Sequence, residues 1–161
     1  IRLLIFFLYV FAISKVNEIK RVFMYHGAEH KCINCIEHGM ELTVENVRAS
    51  SRLHKRCGTS FLLIIMMFSI LFFALIQFSS PLLRLIFRLL LIPFIAGISY
   101  EFLKMAGKKD SVILDLLSKP GLWMQKLTTG EPDDTMIEVG IKAVEAVFDW
   151  KAFVEEQQQS V

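Results

Sequence analysis

Residues 61–78 read FLLIIMMFSILFFALIQF, eighteen positions without a charge. As a helix this run is about 27 Å long, close to the roughly 30 Å hydrocarbon core of a bilayer. Composition points the same way. Hydrophobic residues make up 54% of the 161 positions and charged residues 21%, and the mean hydropathy is +0.50. So apolar a chain must show much of its surface to something other than water, and lipid is the expected partner.

Working outward, Ser79, Ser80 and Pro81 end the run, and a second apolar stretch extends from Leu82 to about Leu103, interrupted by Arg84, Arg88, Pro93 and Gly97. A Pro and a Gly inside a membrane helix predict a kink or break rather than an end, so the pair reads as a helical hairpin. A third apolar run, IRLLIFFLYVFAI, opens the chain. It lacks the basic leader and small-residue cleavage site of a signal peptide. It is expected to be the end of a membrane helix, in a piece of a longer protein.

Lysine and arginine place the polar parts. Lys15, Lys20, Arg21, Lys31, Arg48, Arg52, Lys55 and Arg56 lie between the first and second spans, and Lys104, Lys108 and Lys109 follow the third, whereas the turn between spans has only Arg84 nearby. Both polar segments are therefore expected in the cytoplasm. A net charge of +2, with no basic stripe interleaved with aromatics, gives no ground for a nucleic-acid partner. Three cysteines, Cys32, Cys35 and Cys57, make no disulfide framework and suit a reducing compartment.

In the first polar segment Asn17 can cap a helix that stops at Gly39, and Thr43 can cap a shorter one from Val44 to Leu53. After Gly107, Pro120 and Gly121 read as a break. Asp133 and Asp134 suit the start of a last helix, with Ile137, Ile141, Val144 and Phe148 on one face. The modest charge of its other face favours docking on protein over lipid headgroups.

Chemistry concentrates in YHGAEHK, residues 25–31, where His26, Glu29 and His30 spell H-x-x-E-H. On a helix the two imidazoles share a face and can share one ion, with Glu29 close enough to act on a water. Neutral imidazoles leave a zinc ion's charge high, the ion brings its water's pKa down to about 7, and a carboxylate can then take the proton. A third protein ligand is needed. The candidates are His54, Cys57, Glu37, Glu45 and Glu101, with His54 first and Glu101 second. Ile19, Val22, Phe23 and Ile33 fall near the face of the histidines, which predicts a polar site on an apolar stripe, with Glu37 two turns beyond His30. Read without chemistry, the same pattern is two histidines hydrogen-bonded to backbone.

Cys32 and Cys35 with His54 and Cys57 also form C-x2-C and H-x2-C, a spacing known in structural zinc sites. Yet Cys32 and Cys35 project roughly opposite to His26 and His30 at about 100° per residue. Free buried thiols acting as small apolar residues are the simpler reading. Arg88, one turn after Arg84, can neutralise Glu101 or contact an anionic substrate or lipid, or simply reach to the interface. Trp123 and Trp150 read as interfacial anchors or core.

The segments RVFMYHGAEHK, ELTVENV, SRLHKRCGTSFLL, IPFIAGISYE and PGLWMQKLTTGEPDD together resemble the bacterial DUF1385 family, YqhQ-like membrane proteins often labelled metal-dependent enzymes. The resemblance runs from about Arg21 to Val147. It would carry the family's pattern onto His26, Glu29, His30 and Glu37, then Glu45, then His54 and Cys57, then Glu101, and it leaves Cys32 and Cys35 out. It also implies a Gly-rich soluble stretch upstream.

The expected molecule is all-α, a polytopic helical membrane protein of the bacterial cytoplasmic membrane with cytoplasmic helical segments. Residues 1–14 end a truncated transmembrane helix, 15–60 form a cytoplasmic helical segment with the motif, 61–106 form a transmembrane hairpin, and 107–161 form a cytoplasmic helical tail. His26, His30 and His54 would bind a divalent metal, zinc, at the cytoplasmic membrane surface, with Glu29 as general base of a hydrolase on an unknown substrate. The alternative is a non-enzymatic scaffold or transport component, homo-oligomeric in the transport case, in which the His/Glu cluster is structural.

Overall fold

The computed structural model describes residues 1–76, 79–108 and 112–159. Gln77 and Phe78 of the apolar run, and Lys109 of the basic count, lie outside the described residues. Regular structure among those described is α-helical: α1 Arg2–Ile13, α2 Asn17–Glu37, α3 Val44–Ala49, α4 Gly58–Leu75, α5 Pro81–Lys108, α6 Val112–Thr128, α7 Asp134–Val147 and α8 Trp150–Gln159. The chain divides into two compact units, one of residues 1–54 and 125–161, the other of 55–124.

In the first unit α2 is central. Its start falls one residue from expectation: Val16, with extended backbone, is the cap and Asn17 is the first helical residue. Its end is the expected glycine stop. Gly39 adopts a left-handed φ of 69°, Met40 N–H donates to Cys35 O and Gly39 N–H to Ile36 O, a Schellman motif that satisfies two terminal carbonyls. Thr43 caps α3 by accepting from Asn46 N–H at 3.3 Å, and Asp133 caps α7 by accepting from Met136 N–H at 2.9 Å.

One side of α2 is apolar. Cys32, Cys35 and Ile36 join Leu42, Val47, Ile137 and Val154 in a buried cluster, with Ile141, Val144 and Trp150 packed against it. The α7 stripe therefore docks on protein through Ile137, Ile141 and Val144. Gly140 permits the approach, since a Cβ there would lie 3.2 Å from Cys32 Sγ. Fully buried Ile137 and Val47 each remove about 1.5–3 kcal/mol worth of side chain from water.

α3 is shorter than expected, ending at Ala49 instead of Leu53. The reason is on the opposite side of α2. Lys31 Nζ donates to Arg48 O at 3.0 Å and Ser50 O at 2.8 Å; Asn34 Nδ2 donates to Ser51 O at 2.6 Å and Leu53 O at 3.0 Å. With these carbonyls turned toward α2, residues 50–53 cannot continue a helical ladder.

In the second unit α4 and α5 form the expected antiparallel hairpin. Phe68 meets Phe102 at 6.1 Å and Phe72 meets Phe94 at 5.9 Å, both edge to face. α4 starts at Gly58, three residues before the uncharged run, because Cys57 Sγ accepts from Thr59 N–H and caps it. Pro81 occupies the first position of α5, where its missing N–H costs nothing. The helix remains continuous past Pro93. The break expected at Pro120–Gly121 is absent, and α6 runs through both residues. Gly121 is seated on α4, where a Cβ would come within 2.8 Å of Ser60 Oγ, so packing holds a turn that local propensity disfavours.

α4 and α5 are long and apolar enough to cross a membrane. α1 is apolar but shorter; its 12 residues span about 18 Å.

Candidate metal centre

Around α2, His26, His30, Asn34 and Glu37 recur on one polar stripe. Of the apolar residues near that face, Val22 is 58% exposed and Ile33 faces a cleft beside α7. The histidines meet main chain. His26 Nδ1 donates to Thr128 O at 2.9 Å, and His30 Nδ1 donates to Arg52 O at 2.7 Å. A carbonyl oxygen only accepts, so in the neutral rings the proton sits on Nδ1 and the lone pair on Nε2. This is the arrangement in which a histidine binds a metal through one nitrogen while the other is held by a second hydrogen bond.

The two rings lie 4.4 Å apart, centre to centre, at 65°, and one ring nitrogen of each lies within 4.8 Å of the other's. A zinc ion bonded at 2.0–2.1 Å to both would need nitrogens about 3.4 Å apart. His54 stands next, its ring 5.9 Å from that of His30. Its Nε2 and Glu37 Oε2 are 3.0 Å apart, so when His54 is neutral its Nε2–H donates to the carboxylate and Nδ1 carries the lone pair. Thus the structure gathers His26, His30, His54 and Glu37 in one unit.

Glu29 is exposed and lines the cleft between α2 and α7. Glu45 is exposed in the first turn of α3 and favours the charge of Arg48, which is bound to Asp134 Oδ1 at 3.0 Å through Nε. In the second unit Cys57 is buried at the head of α4, Glu101 pairs with Lys104 at 3.6 Å, and the Arg88 guanidinium lies 5.4 Å from the Phe73 ring centre. Cys32 and Cys35 are free thiols buried in the core. Burial, with Cys35 and Glu29 adding to it, pushes the Cys32 thiol up to about 12, and burial raises Cys35 as well. Protonated thiols are poor zinc ligands, which agrees with their reading as small apolar residues.

Three residues of this region had escaped notice. Asn34 was legible as the next turn of the His26–His30 stripe. Lys31, 7% exposed in its side chain, gives its third hydrogen to Glu131 at 3.1 Å. Gln125, fully buried, clamps His54: its Oε1 accepts from His54 N–H at 2.8 Å and its Nε2 donates to His54 O at 2.7 Å. Nothing local in the sequence marks it. Gln125→Met keeps the volume but orphans both backbone groups, at about 1–3 kcal/mol each, so chemical denaturation is expected to show a loss of several kcal/mol.

Residues 1–150 match the family model described as "Protein of unknown function (DUF1385)". The chain belongs to the DUF1385 family. It is 45% identical over 152 residues to the uncharacterized protein YqhQ of Bacillus subtilis (strain 168), covering 94% of this chain and 48% of that one. The chain therefore spans about half the length of the curated relative it matches. No solved structure matches it.

The segments that carried the resemblance can now be placed in this DUF1385 fold. RVFMYHGAEHK is the middle of α2; ELTVENV holds Thr43 and the start of α3; SRLHKRCGTS holds the loop whose carbonyls accept from α2, His54 and the α4 cap. PGLWMQKLTTGEPDD runs from the Pro120 turn through Gln125 to the Asp133 cap. In the first unit the DUF1385 segments thus contain both the histidines and the main chain that orients them.

Proposed function

We propose that this chain is part of an integral-membrane, metal-dependent hydrolase of the bacterial cytoplasmic membrane. His26, His30 and His54 hold one divalent metal, zinc, beside the cytoplasmic membrane surface. The single observation that carries this reading is the pair of Nδ1–H bonds to the Thr128 and Arg52 carbonyls, which set the same tautomer in two neighbouring rings and make Nε2 the ligating nitrogen of each. When bound, zinc supplies Lewis acidity that polarises a carbonyl or phosphoryl oxygen and acidifies water.

The chain's own residues do the rest. Main-chain carbonyls fix the tautomers of His26 and His30, Glu37 orients the His54 ring, and Gln125 holds the His54 backbone. Glu29, one turn after His26, is the general base, reaching the reacting group from the cleft side of α2. Membrane residence draws support from α4 and α5, and the excess of lysine and arginine in the flanking segments argues for a cytoplasmic site.

A second reading, a non-enzymatic scaffold, draws support from one observation: His30, Lys31 and Asn34 satisfy the carbonyls of Arg48, Ser50, Ser51, Arg52 and Leu53 without calling on an ion. Metal analysis of protein purified from membranes separates the two. About one zinc per chain, lost in His26→Ala and retained in Glu29→Gln, is expected. No stoichiometric metal, or the same content in His26→Ala, overturns the proposal. Retained cellular function in Glu29→Gln with loss in His30→Ala would favour the scaffold.

A further inference from the structure

A cleft of about 490 Å³ opens between α2 and α7, within the size range of small-molecule sites. Tyr25, Glu29 and Ile33 form its α2 wall, and Val139, Val144 and Phe148 line the far side. Glu29 is the one charged residue among the described lining residues. Val139 is 52% exposed and Phe148 42%, so water touches apolar surface that a ligand would cover. On α2 Glu29 stands about 60° round the helix from His26, so the cleft borders the histidine stripe.

We infer that this cleft holds the hydrocarbon chain of an amphiphile whose head group is uncharged or cationic, with the head beside Glu29. The inference rests on the hydrolase reading, because Glu29 is what joins the cleft to the histidines. The apolar walls select the chain. The lone carboxylate selects the head: an anion such as a fatty acid would bring like charge against Glu29, whereas an amide, ester or amine would not. Lipid is the source of the amphiphile, since the same chain carries two helices long enough to cross a bilayer. The bond-breaking end of such a molecule would lie toward His26, and a fatty-acid product would be repelled by Glu29.

The test uses the intact chain in lipid nanodiscs with three photoactivatable probes of equal chain length: a long-chain amide, a long-chain ammonium and a fatty acid. Crosslinks are mapped by mass spectrometry. The amide and ammonium are expected to label the α2 and α7 walls at least tenfold more than the fatty acid. Val144→Trp, or Ala143→Leu should the first variant fail to fold, fills the cleft and lowers that labelling at least tenfold. Glu29→Gln brings the fatty acid up to the level of the amide. Equal labelling by all three probes in the native chain, or labelling unchanged in the filled variants, would overturn the inference. Zinc is measured on the same samples: a labelled cleft without zinc removes the hydrolase reading and keeps the amphiphile site, and zinc with an unlabelled cleft does the reverse.

Discussion

Replacing Gly27 with alanine is expected to lower the stability of the first unit by roughly 3 kcal/mol or more, at the top of the range for forcing atoms into a packed site. A Cβ at residue 27 would lie 2.0 Å from the carbonyl oxygen of Gly130. Both partners are main chain, so no side chain can swing aside. Relief requires α2 and residues 128–130 to part, which breaks the Gly130 N–H bond to Phe23 O at 2.7 Å and moves the Thr128 carbonyl away from His26. Denaturant unfolding should show the loss, and zinc affinity should fall with it. Gly97→Ala is the control: a Cβ there meets nothing within 4 Å, and no loss is expected, with a gain of up to about 1 kcal/mol from alanine's better helix propensity. Equal effects at both positions would refute the close contact.

His30→Ala should remove the response of stability to zinc. A ligand present at 100 times its dissociation constant stabilises the folded chain by about 2.7 kcal/mol, which in a chain of this size raises the melting temperature by roughly 5–10 °C. Native protein is expected to show that rise over chelator-treated protein. The His30→Ala variant should melt at the same temperature with and without zinc. It also leaves the Arg52 carbonyl without its 2.7 Å donor, so its baseline should drop by about 1–3 kcal/mol. A baseline drop with the zinc response intact would mean that His30 is only a structural hydrogen-bond donor.

Much of the helical architecture could be read from local sequence. An uncharged run such as Phe61 to Ile76 has few solutions other than a long helix, and Gly39 and Asp133 act through groups within five residues of themselves. Pro120 and Gly121 misled because their local cost is overridden by contact with Ser60, sixty positions away in the chain. α3 came out short for a similar reason: the carbonyls of Arg48, Ser50, Ser51 and Leu53 are claimed by Lys31 and Asn34, which belong to another helix.

The site was half legible. H-x-x-E-H places His26 and His30 on one face by helical geometry alone, and His54 was the favoured neighbour. What orients them could not be read, because Thr128 is 102 residues from His26, and Gln125 is 71 residues from His54. Glu29 shows the limit of a motif: its spacing suits a base, while the packing of α7 places its carboxylate at the edge of an apolar cleft.

Zinc bound through the imidazoles of His26 and His30 would carry a distinct absorption signature. X-ray absorption at the zinc edge of the purified protein distinguishes the possible ligand sets. A first shell of nitrogen or oxygen at about 2.0–2.1 Å, with outer scattering from at least two imidazoles and its loss in His30→Ala, is the result this account predicts. A shell of sulfur at about 2.3 Å, or no zinc retained after purification, would contradict it.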